Sequence, residues 1–179
     1  MRRRSEIILL CEDRQHQAFA FRFFERMGWA SRKIRRLPVA AGRGSAVQMV
    51  MQQFPAEVRA LRQRAVEACL VVVVDGDADG VAARKRQLCE ACTKAGIAAP
   101  QPMDRVLICV PTWEIETWLA YLAGEDVDES AKDYPKLDKE RRCAIHAAEL
   151  VRMCRERHLR QPSPASLEDA CAEFRRLFA

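Results

Sequence analysis

The stretch that most constrains this chain is Leu70 to Gly80, LVVVVDGDADG. Five apolar residues, four of them valine, run directly into three carboxylates at alternate positions, Asp75, Asp77 and Asp79. β-Branched side chains favour a strand, and an unbroken apolar run predicts one buried on both faces, as in a parallel sheet. Core packing gives no reason for three acids at its end. They repel one another at neutral pH unless a positive charge sits among them. A hard divalent cation is the simplest neutraliser, since Mg2+ takes carboxylate oxygens. The stretch therefore predicts a Mg2+ (or Mn2+) site at the carboxyl edge of a parallel sheet.

The rest of the chain predicts the sheet. Ser5 to Cys11 reads as a first strand, ended by Glu12 and Asp13. Gln15 to Met27 has a broad apolar helical face, with Gly28 placed to end it. Lys33 to Val39 reads as a second strand. Gly42-Arg43-Gly44-Ser45 permits a tight turn, with Ser45 capping a helix from about Ala46 to Gln53 that Pro55 restarts to about Glu67. After the acidic loop come a helix over Val81 to Ala95, a strand over Arg105 to Val110, and a helix from Thr112 through Leu122. Two helices close the chain, Lys139 to Arg157 and Ser166 to Phe178, the second opening on a Ser166/Asp169 capping box. The order β-α-β-α-β-α-β-α predicts an α/β domain with a four-stranded, mostly parallel, Rossmann-like sheet flanked by helices. One domain over 1–179 is expected, its core about 5–122 and a helical extension about 138–179.

Composition narrows the setting. No apolar run approaches the roughly 18 residues of a membrane span, and Ile7 to Cys11 is too short for a signal-peptide core. A cytoplasmic protein with reduced cysteines is expected. Cys89-Glu90-Ala91-Cys92 and Cys143-Ala144-Ile145-His146 fall in predicted helices, not on the tight turns of structural zinc sites. The net charge is +5, and arginine supplies 24 of 30 basic residues. That balance permits nucleic-acid binding without requiring it.

In open α/β sheets ligands bind outside the carboxyl ends of the strands. Glu12 ends the first strand, Asp75, Asp77 and Asp79 follow the third, and Glu114 and Glu116 open the helix after the fourth. Distant elements thus bring carboxylates to one edge, as a metal-assisted phosphoryl-transfer site requires. A calcium loop is excluded, because position 12 of the loop is Arg86 and a strand precedes it. No GxxxxGK[ST] phosphate loop occurs.

A Glu closing the first strand and a DxD closing a later one resemble the Toprim domains of topoisomerases, primases and OLD-type nucleases. Ile115-Glu116-Thr117-Trp118 is similar to the IExW step of small stand-alone Toprim-like proteins, often encoded beside ABC-type ATPases in bacterial phage-defence clusters. The resemblance covers about residues 5 to 122. It implies a Toprim-like fold, with Glu12 as metal ligand or general base, Asp75 and Asp77 holding Mg2+, Asp79 accessory and Glu116 a further ligand. The chain departs from the pattern in one place. Toprim proteins carry Glu-Gly after the first strand and an acid four or five residues on, whereas here stand Glu12-Asp13 and His16-Gln17. Arg14, His16, Arg43, Arg84 and Lys85 are the expected nucleic-acid contacts. Trp113 and Trp118 are expected in the core.

The leading expectation is a Mg2+-dependent nuclease acting on DNA or RNA, with an ABC-type ATPase as partner and a homo-oligomer left open. The alternative is a non-catalytic Toprim-like subunit that binds or regulates such an ATPase. A phosphatase using the DxD is the weakest reading, since no helper lysine stands beside Asp75.

Overall fold

The computed structural model describes residues 5–40, 46–131 and 134–178. Four strands of these residues form one sheet: β1 (Glu6–Cys11), β2 (Ile34–Arg36), β3 (Ala68–Val73) and β4 (Val106–Cys109). Their order is β2-β1-β3-β4, and every pairing is parallel. The expected mostly parallel sheet is therefore wholly parallel. The registers Leu9↔Arg36, Cys11↔Val73 and Val73↔Cys109 align the carboxyl ends of all four strands at one edge.

Among the described residues six α-helices accompany the sheet: α1 (Arg14–Arg26), α2 (Ala46–Arg62), α3 (Gly80–Lys94), α4 (Glu116–Leu122), α5 (Ala144–Glu156) and α6 (Ala165–Phe178). Strand alternation splits the core in two. Ile7, Leu9, Cys11, Cys69, Val71 and Val73 pack under α1, α4, α5 and α6. Ile8, Leu10, Leu70, Val72 and Val74 pack under α2 and α3. The central strands β1 and β3 are thus buried on both faces, which is why their sequences read as unbroken apolar runs. The C-terminal helices belong to the core: Phe174 and Phe178 stack edge-on and tilted against Phe23, Phe24 and Trp29.

Several boundaries differ from those expected. β2 is three residues long, because it is an outer strand with a single neighbour. α2 runs unbroken through Pro55 and stops at Arg62. α4 starts at Glu116, four residues after Thr112, because Trp113 adopts a left-handed φ of 61° that a helix does not allow. Ser166 lies within α6 and is no cap: its hydroxyl accepts from Trp118 Nε1 at 2.7 Å and contacts Glu129. The Gly42–Ser45 turn, and Arg43 with it, lies outside the described residues. Among the described residues no helix is long and apolar enough to cross a membrane.

Candidate functional site

The chain passes from β1 outward to β2, then back across β1 to β3. The gap between β1 and β3 at their carboxyl ends is the switch point of the sheet, where crossovers leave a crevice. Glu12 follows β1 and Asp75 lies two residues past β3, so both fall there. The Asp75 backbone N–H donates to Glu12 Oε2 at 2.9 Å, and the Glu12 N–H donates to the Val73 carbonyl at 3.0 Å. The two acidic segments are thus tied together through the peptide backbone.

The acidic loop is also tied to the segment before α4. Gly76 N–H donates to the Pro111 carbonyl at 2.9 Å, and Asp77 N–H donates to the Trp113 carbonyl at 3.0 Å. Asp77 and Trp113 form an isolated antiparallel bridge, and both have positive φ, 47° and 61°. Aspartate tolerates that region better than most side chains. Gly76 is required for a different reason: a Cβ there would sit 2.9 Å from the Pro111 carbonyl oxygen. Gly76→Ala should therefore push the two loops apart, lowering stability in urea denaturation by about 1–3 kcal/mol.

His16 is the centre of the charge arrangement. Asp13 caps α1 by accepting the His16 backbone N–H at 2.9 Å. The imidazole, 1 % exposed, sits with Nδ1 at 2.7 Å from Asp13 Oδ1 and Nε2 at 2.8 Å from Asp75 Oδ1. Burial opposes its charge, but the Asp75 and Asp13 carboxylates prevail and hold its pKa well above the ordinary value. The same contact outweighs the partial desolvation of the half-exposed Asp13 and takes that carboxyl down to about 2. His16 bridges two carboxylates. It faces inward and is not open to a phosphate.

Arg84 plays the second such part. It is buried, and its Nε donates to the Asp75 carbonyl at 2.8 Å. Its Nη2 donates to Asp77 Oδ2 at 2.8 Å, and Nη1 lies 3.7 Å from Asp79 Oδ2. The solvated or phosphate-facing arginine expected on α3 is instead the internal counter-ion of the acidic loop. Lys85 also turns away, pairing with Asp169 of α6 at 2.5 Å. Arg14 is exposed, with no hydrogen bond or ion pair among the described residues.

Glu116 is 7 % exposed, and burial raises its pKa, with the Asp75 and Glu114 charges adding to it. Lys136 pairs with Glu114 at 3.1 Å and feels Glu116 and Asp75. Nothing around Lys136 in the sequence marked it, because the irregular segment that carries it folds back by tertiary contact alone. Asp13 did have a signal, an Asp three residues before His16 at a helix start.

These cations do not balance the acids. Burial and then the Asp75 charge raise Glu12 to about 7. Partial desolvation raises the half-exposed Asp77 too, against the pull of Arg84 and with the charges of Asp75, Glu114 and Asp79 behind it. Glu12, Asp77 and Glu116, from three separate elements, are thus all carboxylates that resist ionising.

Among the described residues no three Asp, Glu, His or Cys side chains converge into a ready metal cage. Mg2+ demands less, being commonly held by one or two carboxylates with water and substrate phosphate. Asp75 Oδ2, Asp77 Oδ1 and Glu12 Oε1 have no hydrogen bond among the described residues, and as oxygen donors beside excess negative charge they suit that ion. Compared with protein-family models, curated proteins and solved structures, the chain matches none.

Proposed function

We propose that this edge binds one divalent cation, Mg2+ or Mn2+, and that the protein hydrolyses phosphodiesters of nucleic acid in the manner of Toprim-type nucleases. The observation that carries the reading is geometric: the Asp75 N–H donates to Glu12 Oε2 where β1 and β3 end, the Asp77 loop is tied to the segment before α4, and desolvation there raises Glu12, Asp77 and Glu116. A cation placed among them would favour their ionised forms. Asp75 and Asp77 would hold it through their free oxygens, and Asp79 and Glu116 would add negative charge around it. The ion supplies polarisation of a phosphoryl oxygen when bound. Glu12 Oε1, on a carboxyl that changes charge near pH 7, is suited to take a proton from an attacking water. His16 and Arg84 position Asp75 and Asp77 from within.

The test is cleavage of plasmid DNA and total tRNA with Mg2+ or Mn2+, comparing wild type with Asp77→Asn. Asparagine keeps the positive-φ tolerance and a hydrogen bond to Arg84 while removing the charge. Loss of cleavage in the variant, and of wild-type cleavage in EDTA, is expected. A variant as active as wild type would overturn the assignment.

A second reading is favoured by the internal pairing of Asp75 with His16 and of Asp77 with Arg84. Under it the protein is a non-catalytic Toprim-like subunit that binds an ABC-type ATPase. Calorimetry with Mn2+ separates the two, since the second predicts no binding heat.

A further inference from the structure

The outer strand β2 and the turn before it carry four cations in five residues: Arg32, Lys33, Arg35 and Arg36. Two have carboxylate partners, Lys33 with Glu6 at 3.3 Å and Arg35 with Glu57 at 3.0 Å. Arg32 and Arg36 are exposed and have none among the described residues. Arg36 is held differently, its guanidinium 4.8 Å above the Phe21 ring. A ring positions the group without neutralising it, so the charge remains for a partner.

This edge leads to the acidic centre. β2 is parallel to β1, and Arg36 is level with Leu9. Glu12 is three residues further along, about 10 Å at the rise of a strand and one strand spacing across. That is a span of about three nucleotides along a stacked strand. Arg14, two residues past Glu12, is exposed in the first turn of α1, which contains no acid. A helix N-terminus disfavours a cation, so Arg14 does not serve the helix.

We propose that the β2 edge is the track for a polynucleotide backbone, with phosphates passing Arg32, Arg36 and Arg14 to reach Glu12 and Asp75. The inference rests on the phosphodiester reading above and names where its substrate lies. The acidic centre repels phosphate until a cation is bound, so a strand needs anchoring beside it. A row of unbalanced arginines on the adjoining edge supplies that by charge complementarity.

The experiment measures binding, in EDTA, of fluorescent single-stranded DNA, duplex DNA and single-stranded RNA by anisotropy over a salt series. The variants are Arg32→Gln/Arg36→Gln and, as a control of equal charge change, Arg152→Gln/Arg175→Gln. The first double variant should bind single strands on the order of tenfold more weakly, with the slope of log K against log salt reduced by about 1.4. The control should keep wild-type affinity and slope. Equal loss in both variants, or no loss in the first, overturns the proposal, as does binding of the wild type to phosphatidylserine vesicles but not to any oligonucleotide. A first double variant that binds normally but self-associates would assign the charges to blocking edge pairing and likewise overturn it. Because no divalent ion is present, protein that binds on this edge but never cleaves sinks the hydrolase alone.

Discussion

His16→Ala should lower the stability of the protein by about 3–5 kcal/mol, the cost of removing one partner from a buried charge cluster. The imidazole is almost wholly buried, and its two nitrogens answer carboxylates on two elements, Asp13 at the start of α1 and Asp75 past β3. Without it Asp75, whose side chain is 13 % exposed, faces Glu12 with no counter-ion on that side. The loss should depend on pH. His16 has a folded pKa well above its ordinary 6.5, so its stabilisation is complete below about 6.5 and is lost as pH rises through the folded value. Asp13, lowered to about 2, contributes above its ordinary 3.8 and loses that contribution as pH falls through about 2. The gap between wild type and variant, read from urea midpoints, should be widest between about pH 4 and 6.5 and narrow towards alkaline pH. A gap that instead widened with pH would mean that the imidazole is buried neutral.

Glu12→Gln should act in opposite directions on activity and stability. The amide keeps an oxygen to accept the Asp75 N–H but cannot take a proton. Cleavage should fall by about 10²- to 10⁴-fold, the range for a lost general base. Stability without metal should rise. The folded carboxyl of Glu12 is raised to about 7, so the wild type loses stability as pH climbs from about 4.5 through 7, while the glutamine variant does not. At pH 8 the variant should be the more stable by about 1–2 kcal/mol, a figure reduced because the carboxyl is only half-buried. At pH 4 the two should coincide. Added Mg2+ should raise the melting temperature of the wild type and close the gap at pH 8, as expected for a group retained for function at a cost in stability.

The strand core and the parallel order were legible in the chain because β1 and β3 are buried on both faces, and such strands leave unbroken apolar runs. The placement of Glu12 and the Asp75 to Asp79 loop at strand ends was legible for the same reason, since acids cannot continue a buried run. The helix start expected at Thr112 was overturned by contacts distant in sequence. Trp113 turns left-handed where it pairs with Asp77 of the acidic loop.

The Val-rich strand with its three aspartates determined from sequence alone that negative charge would gather at one sheet edge and need a positive partner. Which partner was a tertiary matter. His16 lies 59 positions before Asp75, and only the β1–β3 pairing and the Asp13 cap bring its ring between the two acids. Arg84 reaches Asp77 because α3 starts directly at the loop and turns that side chain inward. Spacing along a chain counts charges but not their separation in space. Coulombic balance depends on that separation, and here it leaves Asp75 and Asp77 paired from within, with Glu12 the carboxyl most ready to take a proton near neutral pH.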